Sequence, residues 1–198
     1  MLAQIILLVL NTVLGLLTFA LLVRFAMQWA RAPFRNPLGQ FVMTATDWAV
    51  RPLRRFIPGL FGLDLASLVP AWFCQALLLG VTAGLTGQFG VSPARTVAST
   101  LGVSTIVVAL LAVFETLKLG VYVAIGAVLV SAVLSWVNPY APMADVFNAV
   151  SRPLLRPFSR LIPPMGGIDL SPLALLVALQ IALIVLASLR QEVFALLR

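Results

Sequence analysis

The sequence predicts an all-α membrane protein of two tandem repeats, each a pair of transmembrane helices joined by a basic loop that carries an amphipathic interfacial helix. Three observations carry this. The first is a doubled motif: Arg51-Pro52-Leu53-Arg54-Arg55 leads through Ile57-Pro58 to Gly62-Leu63-Asp64-Leu65, and Arg152-Pro153-Leu154-Leu155-Arg156 leads through Ile162-Pro163 to Gly167-Ile168-Asp169-Leu170. From Ile57 to Gln75 the second copy lies 105 residues downstream without a gap, so Pro58, Gly62, Asp64 and Gln75 answer to Pro163, Gly167, Asp169 and Gln180. Upstream the register slips, Asn36-Pro37 matching Asn138-Pro139 at 102 residues and Trp29 matching Trp136 at 107, as loop insertions displace equivalent elements. The second is composition: 62% hydrophobic and 10% charged residues leave more apolar surface than one globular core hides, and a mean hydropathy of +1.10 assigns the chain to a bilayer. The third is length, because four stretches reach the roughly 20 apolar residues that a helix needs to cross a hydrocarbon core of about 30 Å.

Those stretches are residues 2–29, residues 65–89, a third that reaches Trp136 from residue 119 or earlier, and residues 171–189. They divide the chain into a first repeat at 1–90, a connector with an interfacial or protruding helix at 91–118, and a second repeat at 119–198. Two spans per repeat is an even number, so both repeats enter the membrane in the same sense and their pseudo-symmetry axis lies along the membrane normal. No Lys or Arg precedes Arg24, which reads as a retained first helix rather than a removed signal peptide. The third span is ambiguous at its start, where Glu115-Thr116-Leu117-Lys118 interrupts two apolar runs. One straight helix over residues 105–137 would reach about 50 Å. Glu115 and Lys118 stand three apart and can pair on one helix face near the interface, with residues 105–114 protruding or lying on the surface.

Charge sets the expected orientation. Residues 30–63 hold Arg31, Arg35, Arg51, Arg54 and Arg55, and residues 137–170 hold Arg152, Arg156 and Arg160, against Arg95 alone between the second and third spans. The rich loops therefore face the cytoplasm and both termini lie outside, although Arg190 and Arg198 oppose this. Inside the loops Phe41, Ala45, Trp48, Pro52, Leu53 and Phe56 recur at helical spacing opposite Thr44, Asp47, Arg51, Arg54 and Arg55. Met143, Val146, Phe147, Val150, Leu154 and Leu161 do the same opposite Asp145, Asn148, Arg152, Arg156 and Arg160. A basic face backed by apolar and aromatic residues suits the headgroup plane, so these arginines are candidates for binding anionic lipid or a partner, or else are topogenic charge alone. Pro52, and Pro153 with Pro157, should bend or end the two helices.

Pro58 and Pro163 stop each interfacial segment, Gly62 and Gly167 permit a tight backbone, and Asp64 and Asp169 stand where a carboxylate caps the following span. The same carboxylates could instead pair with loop arginines and lock the interfacial helix onto the spans. Gln75 and Gln180 fall eleven residues further on, buried at mid-depth, where an amide links helices or lines a polar path. Arg24, one turn before Gln28, reads as snorkelling to the interface. Gly80 and Gly84 supply a small-xxx-small spacing of low specificity.

Chemistry is sparsely served. With no His, one Cys and six acidic residues there is no nucleophile beside a base, no plausible metal cluster and no phosphate loop, so no enzyme activity and no cofactor are expected. The +7 charge lies along membrane loops without an aromatic-lined module, which argues against direct nucleic-acid contact. A span ending in Trp29 or Trp136, then Asn-Pro, Arg-Pro-Leu, Ile-Pro, Gly-x-Asp-Leu and a second span, twice over, resembles the YggT family of small bacterial integral membrane proteins, called YlmG in some lineages. The resemblance covers nearly the whole chain. It implies a protein of the bacterial cytoplasmic (inner) membrane without an established enzymatic activity. It also implies ties to osmotic and potassium-related stress tolerance, to cell division or nucleoid distribution, and, in chloroplasts, to assembly of a b-type cytochrome with its haem.

The residues favour a non-enzymatic scaffold or assembly factor for envelope homeostasis under osmotic stress, a homo-oligomer or a partner of other membrane proteins, in contact with anionic lipids. The alternatives are an oligomeric ion channel or transporter component, and a cell-division or cytochrome assembly factor. Direct haem ligation is disfavoured without a His, and a pore would need more polar groups than Gln75, Gln180, Asn11 and Arg24. The predicted topology has a direct test: a cysteine introduced between Gln88 and Ala98 labels from outside intact cells, and exclusive labelling from the cytoplasm overturns the orientation.

Overall fold

A chain this apolar has no water to satisfy its backbone, so helices form wherever the apolar runs are long enough. The structure, a computed structural model, describes residues 1–55, 64–86, 97–138, 141, 143–161 and 169–196. Among them lie six helices: α1 (Leu2–Trp29), α2 (Pro37–Leu53), α3 (Leu65–Thr86), α4 (Val97–Val137), α5 (Ala144–Leu161) and α6 (Ser171–Leu196). Segments Leu2–Trp29, Leu65–Leu85, Thr105–Val137 and Ser171–Phe194 are each long and apolar enough to cross a membrane. The protein is an all-helical, multi-pass membrane protein.

Local sequence sets the helix ends. α1 closes in a Schellman arrangement, with the Ala32 N–H on Met27 O at 2.8 Å, the Arg31 N–H on Gln28 O at 3.0 Å, and Arg31 in the left-handed region at φ 52°. α2 opens on Asn36, whose side-chain oxygen accepts the Gly39 N–H at 2.7 Å and whose amide donates to Pro33 O, while Pro37 fills the first helical position. A Cβ on Gly39 would stand 2.7 Å from Phe34 O and 2.9 Å from Phe34 Cα, so only glycine fits this turn. α2 ends one residue after Pro52. Pro153 and Pro157, expected to bend or end their helix, instead lie inside α5, which continues to Leu161. Their four-residue spacing removes two amides from one side only, and the rest of the ladder carries the helix through.

Packing centres on the half of α1 that leads into α2. Leu21, Leu22, Val50, Ala66, Ala71 and Val123 form one buried cluster, and Met27, Ala32, Ala127, Val146 and Val150 form a second. The first draws on α1, α2, α3 and α4, and the second on α1, the turn after it, α4 and α5. In lipid such clusters hold through close packing rather than escape from water.

α4 is the largest departure from expectation. The third span and the segment before it are one helix of 41 residues, about 60 Å long. Residues 105–114 are not a separate surface segment: Val107, Leu111 and Ala112 are buried, and the Trp72 indole donates to Ala109 O at 3.0 Å. α4 thus joins the α1–α3 pair to α5 and α6. A Cβ on Gly80 or Gly84 would meet nothing within 4 Å, so among the described residues neither brings another helix close.

The Asn36–Gly39 turn gives a stability prediction. Gly39→Ala must displace the Phe34 backbone and lowers the unfolding free energy by about 1–3 kcal/mol. Reversible unfolding in detergent or bicelles reads this, and an unchanged stability would show that the turn is not fixed as described.

Candidate functional site

α2 faces the spans with Gly39, Val42, Thr46 and Val50. Its expected apolar face, Phe41, Ala45, Trp48 and Pro52, lies elsewhere: Phe41 and Trp48 are 67% and 68% exposed. α2 therefore has three faces. Small and β-branched residues pack on protein, aromatics point outward, and Thr44 and Arg51 take the remaining side.

Arg24 holds the packed face in place. It does not snorkel: it is 4% exposed, and its Nη1 donates to Thr46 Oγ1 at 2.7 Å and to Asp47 Oδ1 at 2.8 Å. Arg24 lies five residues, about 8 Å, inside the end of α1, and a charge taken from water at that depth requires a counter-charge. Arg51 Nη2 reaches the other oxygen, Asp47 Oδ2, at 2.9 Å. The hydrogen bond from Arg24 holds the Asp47 carboxyl below its ordinary value of 3.8, aided by the charges of Arg24, Arg51 and Arg54 and opposed by burial. Arg24 Nε and Gln28 Oε1, a donor and an acceptor one turn apart, are buried without hydrogen-bond partners among the described residues.

Asp64 secures the far end of α2. Its carboxylate pairs with Arg54 Nη2 at 3.0 Å and accepts the Ser67 hydroxyl, while its backbone carbonyl accepts the Ser67 and Leu68 amides that open α3. The side chain thus locks helix to span, and the backbone performs the capping. Asp169 caps with its side chain: Oδ1 accepts the Ser171 N–H at 2.9 Å. Ser171, through its side chain and its backbone amide, holds the Asp169 carboxyl below the usual range.

The sequence registers set the two halves side by side. The register of Trp29 and Trp136 places Ser131 opposite Arg24, and that of Asn36 and Asn138 places Asn148 and Ala149 opposite Thr46 and Asp47. Ser131 Oγ and Asn148 Oδ1 are 2.6 Å apart, so the same contact recurs without charge. Sequence reasoning missed this pair of brackets. The available signal was that Arg24 and Asp47 depart from the repeat together.

The other candidate residues divide. Gln75 is buried and donates to Thr18 Oγ1 at 3.2 Å, linking α3 to α1. Gln180, expected to be buried, is exposed on α6. Arg51, Arg54, Arg55, Arg152, Arg156 and Arg160 are all exposed, and Arg55, Arg152, Arg156 and Arg160 form no ion pair among the described residues. Pro58, Gly62, Pro163 and Gly167 lie outside the described residues. Glu115 pairs with Lys118 at 3.0 Å, as expected, and also with Arg190 at 3.3 Å, joining α4 to α6. Two cavities of about 270 and 430 Å³ flank α4. The smaller is lined by residues such as Met27, Tyr122, Val146 and Phe147, and the larger by Trp29, Leu68, Leu154 and Leu179, so both are overwhelmingly apolar.

The family model described as CCB3/YggT matches residues 3–85 and 110–190, the two segments that hold the doubled motif. The chain belongs to the CCB3/YggT family. It is 38% identical to an uncharacterized protein of Pseudomonas aeruginosa, over 87% of this chain and 83% of that protein. It is 36% identical to the uncharacterized protein YggT of Escherichia coli strain K12, over 87% and 84%. A Vibrio alginolyticus protein is 31% identical over 87% and 88%. No solved structure matches the chain significantly.

The bracket makes two predictions. Asp47→Asn leaves Arg24 buried without a counter-charge and lowers the unfolding free energy by about 3 kcal/mol, whereas Thr46→Val removes one hydrogen bond and costs about 1 kcal/mol. Equal effects would contradict the pairing. Because the folded pKa of Asp47 is depressed, its contribution is complete above the ordinary 3.8 and is lost as pH falls through the folded value. Acid titration of stability should show that loss in the wild type and not in Asp47→Asn.

Proposed function

We propose that this protein is a non-enzymatic scaffold of the bacterial cytoplasmic membrane, built as two tandem repeats that each hold a basic amphipathic helix in the interfacial plane to gather anionic lipid and membrane-protein partners. The observation that carries it is the pairing of exposures on and just after α2: Phe41 and Trp48 point outward while Arg51, and Arg55 beyond the helix end, are also exposed. Aromatic rings suit the headgroup boundary, and each nearby Lys or Arg adds about 1 kcal/mol of attraction to an anionic surface. α5 adds Arg152, Arg156 and Arg160. With the basic loops in the cytoplasm and the termini outside, all six arginines meet one leaflet. The pairing of Arg190 with Glu115 lowers its weight against that orientation. The apolar cavities beside α4 suit acyl chains and offer almost no polar lining to an ion.

In this reading the protein is a homo-oligomer that supports envelope homeostasis under osmotic stress, and it performs no group transfer. Ion conduction has less support, because Gln75 is occupied by Thr18 rather than open to a pathway. Cell-division and cytochrome-assembly roles remain compatible with a scaffold that recruits partners.

Two measurements separate these readings. In nanodiscs of equal parts zwitterionic and anionic phospholipid, wild-type protein retains anionic lipid on extraction, and Glu at positions 54, 55, 156 and 160 reduces that retention severalfold. In liposomes the wild type passes no potassium. Unchanged lipid retention, or a potassium flux that Gln75→Leu abolishes, overturns the scaffold reading.

A further inference from the structure

Gln180 lies within the apolar run of α6, faces out of the protein, and has no hydrogen bond among the described residues. A carboxamide left against hydrocarbon without a partner is costly. Gln75, its counterpart in the doubled motif, avoids that cost through Thr18, but the residue in register with Thr18 is Ile125, which offers neither donor nor acceptor. None of the described residues satisfies Gln180, which calls for a partner on another molecule.

Its neighbours describe that partner. Leu173, Val177, Gln180, Ile184, Ala187 and Gln191 are all exposed and recur at spacings of four and three, the heptad period of a two-helix seam. The stripe lies on the side of α6 away from buried Ser171 and Leu175 and spans about 27 Å, close to the hydrocarbon thickness. α6 is also the span least covered by its own protein, with 6% of its apolar window buried against 22% for each of the other three.

We propose that this stripe is the seam of a parallel homodimer in which Gln180 hydrogen-bonds Gln180 of a second copy. Copies of one chain insert in one orientation, so a two-fold axis along the membrane normal brings identical positions to equal depth. A carboxamide carries both donor and acceptor, so two of them satisfy each other, as a single polar residue in an apolar seam fixes register. The proposal deepens the oligomeric part of the scaffold reading and is independent of its lipid-binding part.

Single cysteines in a Cys74→Ala background test it. Oxidative crosslinking in native membranes should trap dimers through Val177→Cys and Ile184→Cys but not through Val185→Cys, which is exposed off the stripe. Energy transfer between labelled full-length copies in lipid vesicles should show dimerisation about tenfold weaker in Gln180→Leu and nearer wild type in Gln180→Asn. Equal crosslinking at position 185, unchanged dimerisation in Gln180→Leu, or crosslinks only to a different membrane protein overturns the proposal. A wild type that forms no dimer while retaining anionic lipid refutes this seam and leaves lipid binding standing, and a wild-type dimer without lipid retention does the reverse.

Discussion

Arg24 is a full positive charge placed inside an apolar span, and the rest of the structure is arranged around its neutralisation. A guanidinium there is tolerated only with a counter-charge and hydrogen-bond acceptors close by, and α2 supplies both through Asp47 and Thr46. α2 is thereby held at three points: the Asn36–Gly39 turn at its start, Arg24 at its middle, and the Arg54–Asp64 pair at its end. With the helix so fixed, the outward direction of Phe41 and Trp48 and the sideways direction of Arg51 follow from helical spacing alone. The pair contributes placement more than stability, since an apolar pair of the same shape could pack equally well.

The second half of the chain makes the corresponding contact without charge. Ser131 and Asn148 occupy the positions of Arg24 and Thr46, and with no buried cation to neutralise, Ala149 replaces Asp47. Asp169 is then free to cap α6 rather than hold an arginine, and Arg156 remains exposed without an ion pair among the described residues. The first half is rigidly bracketed. In the second, Arg152, Arg156, Arg160 and Gln180 are exposed.

Much of this was legible in the sequence. Apolar length placed the four spans, because the bilayer sets that length and tertiary packing does not. Asn36-Pro37 announced the start of α2, and the spacing of Glu115 and Lys118 announced their pair, since both are local. What the sequence concealed depends on contacts between helices. Periodicity separated apolar from polar residues on α2, but could not show that Gly39, Val42, Thr46 and Val50 seek protein while Phe41 and Trp48 do not. Composition around Glu115 suggested a break in α4, because its second partner, Arg190, lies on another helix. Equivalence in the repeat suggested that Gln180 is buried like Gln75, yet the difference was set by Ile125 standing where Thr18 stands in the first copy.

Arg24 fixes α2 with Gly39, Val42, Thr46 and Val50 on protein and leaves Phe41, Trp48 and Arg51 exposed on its other sides. Spin labels placed singly at positions 41, 44, 48 and 51 of the protein in lipid vesicles test this through their accessibility to oxygen and to a water-soluble nickel chelate. Positions 41 and 48 should favour oxygen and positions 44 and 51 nickel, with the contrast lost in Arg24→Leu. Uniform accessibility at all four positions, or a contrast that persists without Arg24, would contradict the account.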